Sequence, residues 1–415
     1  MITYALSKSE PTISGEINLQ PSKPTNHRYI IIRVLRSNNL SQRLTTDTED
    51  VNIFDKDLLK TGIRKNRGSS AKAIRHIRSF INYFGGEWIL STSKILKDNN
   101  STQKIVKLLQ QNGLTVRFEE REGKPPFRLT GRNFNGPIIR VEGSINSKIF
   151  EAKLLLNPSI SLEQAHEFYN RIHEQGYIQI TLRALQFLGL NTDWNIDETL
   201  IEREIIDGSE LTIESDWLQA SFWYSLVALS KKGKLTLHKV KPDSFQPEIA
   251  AKELFLQLGV STQVFDDYVT IKKKGKLTNK FVQDLKHSPN LVFPLIATCV
   301  GNNVPFRLSG LQNISDKSEE ILNNLAEELS RIGCNLKVFQ EDNSLIAEFD
   351  GKSKLHKMKS VAFDTHSNCH IAMTLAALSV IGIDEKIGNP WVTNKIYPAL
   401  WDELKNLGFK VETIQ

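Results

Sequence analysis

Lys23 and Arg28, in the stretch LQPSKPTNHRYIIIRVL from Leu19 to Leu35, are the residues whose types and spacing first suggest chemistry. Two cations flank Thr25 and Asn26, either of which can cap a helix. The free backbone N–H groups of a first helical turn, with those cations beside them, suit an anion such as phosphate or carboxylate. An extended run with Ile13, Ile17 and Leu19 leads in, and an apolar segment of helical length follows from about Arg28, so strand, turn and helix are expected in that order. The same residues also suit a basic turn ahead of a core helix, and on this stretch alone both readings stay open.

Composition narrows the partner. A net charge of +6 over 415 residues is a mild bias, and the Lys and Arg residues are scattered rather than gathered in an arm. No nucleic acid is therefore expected, and an anionic small molecule fits instead. The opening MITYALSKSEP has no apolar core of signal-peptide length, and no run approaches a membrane span, so a cytoplasmic protein without membrane attachment is expected. Cys299, Cys334 and Cys369 are an odd set at wide spacing, which points to reduced thiols and to no metal site.

A repeated pattern must position these residues. An amphipathic helix ends in Gly and a strand follows at once, at Gly62, Gly113, Gly189, Gly259, Gly333 and Gly408. Glycine takes the left-handed conformation that ends a helix, so the pattern has a structural cause. The last five lie 70 to 76 residues apart, the size of a compact α/β module. A second type of helix alternates with the first, apolar all round and therefore buried: 149–156, 218–229, 291–300 and 371–381. Asn146 with Ser147, Ser215 with Asp216, Asn290 and Asn368 precede these helices as candidate caps, so their N-termini are expected at a module edge, facing outward. A chain of this length suggests two domains, and six modules divide as three and three.

Several segments resemble the 5-enolpyruvylshikimate-3-phosphate synthase (3-phosphoshikimate 1-carboxyvinyltransferase) family. They are PSKPTNHR (21–28), GKPPFRLTGRNFNG (123–136), GSINSKIFEAKLLL (143–156), LTIESDWLQASFWYSLVALS (211–230), SGL followed by the EEL helix (309–329), and VTNKIYPALWDELKNLGF (392–409). The resemblance implies an α/β enolpyruvyl transferase fold, with two domains of three βαβαββ repeats each around an interdomain cleft. One domain would be 20–213, inserted into the other, 1–19 plus 214–415. It also implies transfer of an enolpyruvyl group from phosphoenolpyruvate to shikimate 3-phosphate, in aromatic amino acid biosynthesis, by a monomer without metal or organic cofactor.

Carried over position by position, the resemblance divides. Lys23, Arg28, Ser147, Tyr177, Asn313, Lys317 and Lys395 keep the shikimate-phosphate side, and Asp50 also falls on a family position. The family's general base, an Asp, is Asn290 here, and the Glu after its Lys is Ser318. Neither can take the base's or the acid's part. The three arginines around phosphoenolpyruvate correspond to Ile95, Ile321 and His370, and the His beside the last is Cys369. The loop that approaches the ligand reads Ser69, Ala71, Lys72 and Arg75 and lacks its Gly; Pro24, Asn146, Lys148 and Glu174 are further replacements.

Three readings follow. The family reaction is the first, and the lost base, acid and arginines argue against it. A non-catalytic member that binds a phosphorylated ligand or a protein partner is the second. An enzyme with a changed anionic substrate is the third, its positive site rebuilt from Lys72, Lys97 and Lys148. For the retained residues a structural role is as open as a binding one: Lys23 and Lys395 as solvated lysines, Tyr177 as a packed aromatic, Asn313 as a turn residue.

Overall fold

The computed structural model describes residues 2–22 and 214–414 apart from 316, and between them residues 25, 64–66, 86–90, 110, 115–118, 127–131 and 180. The chain divides into two compact units, one of residues 1–22 and 212–415, the other of residues 23–211. Residues 20–22 go with the first unit because they run antiparallel to the returning chain. Asp216 N–H donates to Gln20 O at 3.0 Å and Ser22 N–H to Glu214 O at 2.8 Å, around a Pro21–Ser215 bridge.

The first unit opens with β1 (Thr3–Ser7) and β2 (Thr12–Asn18). The second unit contributes β3 (Arg64–Asn66), β4 (Gly86–Leu90), β5 (Thr115–Phe118) and β6 (Phe127–Gly131). The chain then returns through α1 (Trp217–Leu229), β7 (Lys232–His238), α2 (Ala251–Gln257), β8 (Val260–Val264) and β9 (Tyr268–Lys273). Next come β10 (Phe281–Asp284), α3 (Val292–Gly301), β11 (Phe306–Ser309), α4 (Ser318–Ser330), β12 (Lys337–Glu341) and β13 (Ser344–Phe349). The last are β14 (Ser360–Asp364), α5 (Cys369–Leu378), β15 (Asp384–Gly388), α6 (Leu400–Asn406) and β16 (Lys410–Ile414).

The described strands form sheets of one build, ordered β2-β7-β9-β8, β10-β11-β13-β12 and β14-β15-β1-β16 in the first unit and β3-β4-β6-β5 in the second. In every case the first two strands are parallel and the other pairings antiparallel. Parallel neighbours need a crossover, and a buried helix supplies it: α3 between β10 and β11, α5 between β14 and β15. Between β2 and β7 the crossover carries residues 23–211 as well as α1, so the second unit is an insertion in a loop of the first. β1 completes the last sheet from the other end of the chain, with Leu6 opposite Glu385 and Thr3 opposite Ile414.

Burial follows sequence pattern. In β7 Leu235 and Leu237 face inward while Lys232 and Lys234 are exposed, the period-two alternation of a half-buried strand. In α4 Leu322, Leu325 and Leu329 are buried and Glu319, Glu320 and Glu327 exposed, the stripe of a surface helix. By contrast α3 is buried throughout, α1 everywhere except Leu218, and α5 from Ile371 onward. These three pack on one another at the centre of the first unit, linked by a hydrogen bond from Thr298 Oγ1 to Ser225 Oγ at 2.9 Å. Gly301 allows the close approach, since a Cβ there would lie 2.3 Å from Leu229 Cδ2. Gly259, Gly333 and Gly408 end α2, α4 and α6 with φ of 81°, 70° and 81°. Gly62, Gly113 and Gly189, with the 149–156 segment, lie outside the described residues.

Candidate functional site

The first turns of α1, α3 and α5 meet around one depression, lined among others by Leu218, Phe222, Phe293, Pro294, His370 and Met373. Their N-termini are finished differently. Asp216 Oδ1 accepts from the N–H groups of Leu218 and Gln219 at 2.8 and 3.2 Å, and Asn368 Oδ1 from those of His370 and Ile371 at 2.8 and 3.2 Å. Those donors are therefore already satisfied within the helices' own caps. Trp217 N–H is taken by Gln246 Oε1 at 3.0 Å, while Gln246 Nε2 donates to Ser215 O at 2.8 Å.

Asn290 is not a cap, contrary to the sequence expectation. It sits in a short 3-10 turn, Pro289–Leu291, which runs straight into α3, and Leu291 takes the cap position without a side-chain bond. The Asn290 side chain turns aside instead, donating from Nδ2 to the buried Glu248 Oε1 at 3.3 Å. The 3-10 turn explains the preference, because its own carbonyls take the next donors: Leu291 N–H donates to Ser288 O at 3.1 Å and Val292 N–H to Pro289 O.

The turn before α4 carries the other polar cluster. Ser318 is buried, and its Oγ accepts from Ser315 N–H at 2.9 Å while lying 2.7 Å from Ser315 O and 3.0 Å from Gln312 O. Its single proton serves one of those two carbonyls. Lys317 and Glu320 form an exposed pair, Nζ to Oε2 at 2.9 Å. Ile321, one turn into α4, packs half-buried against the core.

A model of EPSP synthase (3-phosphoshikimate 1-carboxyvinyltransferase) matches residues 101–404. The chain belongs to the EPSP synthase family. It is 26% identical over 410 residues to the 3-phosphoshikimate 1-carboxyvinyltransferase of Bacteroides fragilis, covering 99% of this chain and 98% of that one. The enzyme of that name from Vibrio cholerae is 22% identical over 424 residues, covering 95% and 97%. Among solved structures, EPSP synthase of Acinetobacter baumannii superposes with a TM-score of 0.64 at 14% identity over the whole of both chains. The enolpyruvyl transferase NikO of Streptomyces tendae gives 0.60 at 12% identity, covering 100% of this chain and 99% of its own. The fold is accordingly the two-domain enolpyruvyl transferase fold, and the repeated βαβαββ sheets are its units.

Of the EPSP synthase family positions singled out in the sequence, the described residues place Asn290, Asn313, Lys317, Ser318, Ile321, Cys369, His370 and Lys395 in the first unit. Asn313 closes the 3-10 turn Leu311–Asn313, whose Gln312 O lies 3.0 Å from Ser318 Oγ. Lys395 ends the 3-10 helix Pro390–Lys395 and is exposed. The His370 ring lies on Phe293 of α3, centroids 4.7 Å apart. Lys23, Arg28, Asp50, Lys72, Ile95, Lys97, Ser147, Lys148 and Tyr177 lie outside the described residues. So do Pro24, Ser69, Ala71, Arg75, Asn146 and Glu174.

Two motifs that carried the family resemblance prove to be largely core. Trp217 is wholly buried with Nε1 donating to Lys241 O at 3.1 Å. In VTNKIYPALW the Tyr397 hydroxyl accepts from Trp223 Nε1 at 3.0 Å, and Trp401 Nε1 donates to Thr393 Oγ1 at 3.0 Å. Glu248 and Phe293, partners of Asn290 and His370, escaped the sequence reading because partnership across different repeats leaves no periodic signal, and Gln246 because it lies 29 residues from Trp217. Gln-Pro-Glu ahead of α2 reads only as a helix start.

Proposed function

We propose that this EPSP synthase family member holds a phosphorylated, hydroxylated ligand of the shikimate 3-phosphate type, and that its enolpyruvyl transfer is weak or absent. The observation that carries this reading is Ser318. Where the family resemblance puts a carboxylate, the chain has a buried hydroxyl already engaged with the backbone of its own turn. Such a group has no proton-exchange capacity near neutral pH. Asn290, an amide in the place of the base, is held by Glu248, and Ile321 offers no donor to a carboxylate ligand. Phosphoenolpyruvate, with up to three negative charges, would leave water without the partners that arginine supplies, at a cost of several kcal/mol. Lys317 supports retention of the other ligand, because its exposed pair with Glu320 is worth little and exchanges readily for a phosphate or hydroxyl partner.

The test is titration calorimetry with each ligand separately, followed by phosphate release with both together. Shikimate 3-phosphate is expected to bind more tightly than phosphoenolpyruvate. Binding of phosphoenolpyruvate alone would reverse the assignment, and turnover near the typical enzyme value of about 10 s⁻¹ would refute weak transfer. A triple variant, Asn290→Asp, Ser318→Glu and Ile321→Arg, asks whether the scaffold still accepts the chemistry.

A further inference from the structure

The segment between β14 and α5 is held in an unusual conformation from outside. His366 and Ser367 both lie in the left-handed region, φ 46° and 54°, and neither is glycine. Side chains other than glycine adopt that region at a cost, so consecutive examples persist where surrounding contacts impose them. Part of the restraint is local: Asp364 Oδ1 accepts from His366 N–H at 2.7 Å, and Asn368 N–H donates to Thr365 O at 2.8 Å. The rest comes from α4.

Glu328 of α4 is fully buried, and its carboxylate is saturated. Oε2 accepts from Asp364 N–H at 2.8 Å and from Arg331 Nε at 2.9 Å; Oε1 faces His366 Nε2 at 3.0 Å and Arg331 Nη2 at 3.1 Å. Glu327 joins Glu328 and His366 in a group whose ligand atoms lie within 4.8 Å of one another. The Arg331 guanidinium already neutralises Glu328, so the group reads as an ion-pair clamp rather than a cation site. The clamp grips both ends of the left-handed pair's approach, at Asp364 and His366. Immediately beyond come Asn368, which caps α5, and Cys369 and His370, which by the family resemblance take positions on the phosphoenolpyruvate side.

We propose that Glu328 is a positioning residue for the ligand side of this unit: by fixing Asp364 and His366 it sets the path of 365–367, and through it the placement of Asn368, Cys369 and His370. It touches no ligand itself. That these residues face a ligand rests on the function proposed above, whereas the mechanical link from Glu328 to the segment does not.

The experiment uses the full chain and the variants Glu328→Ala, Glu328→Gln and His366→Gln. Amide hydrogen exchange of the peptide 364–374 is compared with that of peptides from the β10-β11-β13-β12 sheet, and calorimetry measures phosphoenolpyruvate binding with and without Glu328→Ala in a His370→Arg background. Loss of a charged acceptor is expected to speed exchange of 364–374 in Glu328→Ala by about tenfold or more, with the sheet unchanged, and to weaken phosphoenolpyruvate binding in the His370→Arg background by a similar factor. Glu328→Gln, which keeps one oxygen acceptor, should recover most of both. Should Glu328→Ala fail to fold, His366→Gln, which disturbs one contact, still gives a local increase. Unchanged exchange at 364–374, or equal acceleration in sheet and segment, overturns the proposal. Should His370→Arg gain no phosphoenolpyruvate affinity, the ligand-side half of the proposal falls, and should the unmodified chain fail to bind shikimate 3-phosphate, the functional reading falls; the exchange measurement alone decides whether Glu328 sets the segment.

Discussion

The imidazole of His370 lies face to face with the ring of Phe293, centroids 4.7 Å apart and planes 13° from parallel. One ring comes from the first turn of α5 and the other from the first turn of α3, so the contact joins two repeats at the edge of the depression where their N-termini meet. A flat ring at position 370 is thereby directed along an aromatic face. An arginine there would stack on the same ring and still present its donors outward.

His370→Arg is therefore expected to be accommodated without loss of stability and to strengthen phosphoenolpyruvate binding by about tenfold or more, since a charge-assisted hydrogen bond contributes about 1.5–3 kcal/mol. Calorimetry on the purified variant measures it. An unchanged dissociation constant would show that position 370 does not face that ligand.

Ser318→Ala should destabilise the first unit by about 1–2 kcal/mol, because it removes the acceptor of Ser315 N–H and the one proton donated to a turn carbonyl. Urea denaturation reports the change. A neutral result would mean that the turn before α4 satisfies its backbone by other means, and would weaken the case that Ser318 is committed to structure.

Glu385 predicts a pH effect. Both of its carboxylate oxygens are buried without a hydrogen-bond partner, and burial raises its pKa well above the ordinary 4.5. An acid raised in the folded state binds its proton more tightly there than in the unfolded chain. Its penalty is absent below the unfolded value, grows as pH rises past about 4.5, and is complete above the folded pKa. Glu385→Met, of similar shape, should therefore stabilise the protein by about 1–3 kcal/mol at pH 7 and by much less near pH 4. Paired denaturation curves at the two pH values test it; a gain of equal size at both would show that the carboxyl's ionisation is not the cause.

Tyr397→Phe removes the acceptor of Trp223 Nε1 in a fully buried pair whose ring centroids are 6.2 Å apart. A loss of about 1–3 kcal/mol is expected from the orphaned indole N–H. The Trp-Tyr hydrogen bond would be judged dispensable if the urea midpoint stayed where it was.

The three helix-Gly-strand units within the described residues were legible from residue order because their causes are local. Gly259, Gly333 and Gly408 take a conformation that other residues avoid, and the stripe of Leu322, Leu325 and Leu329 against exposed glutamates can be read along one helix. Asp216 and Asn368 were legible as caps for the same reason, since a cap bonds two or three residues ahead in its own chain. Family membership too lay in residue order, in motifs whose distinctive tryptophans and tyrosine turn out to serve the core.

What only the tertiary structure decided depends on partners distant in sequence. Nothing near Leu6 announces that β1 completes a sheet with Glu385 and Val411, because pairing between the two ends of a chain carries no local pattern. Asn290 has a cap's composition, yet the carbonyls of Ser288 and Pro289 take the first donors and Glu248, from another repeat, takes the amide. The hydroxyl of Ser318 looks free in a sequence and is spent on its own turn once folded. Glu328 reads as one more glutamate on a charged helix, and only the approach of β14 and its following segment turns it into a buried anchor. Side-chain chemistry is written in the residue, whereas its availability is set by what the fold brings within hydrogen-bond reach.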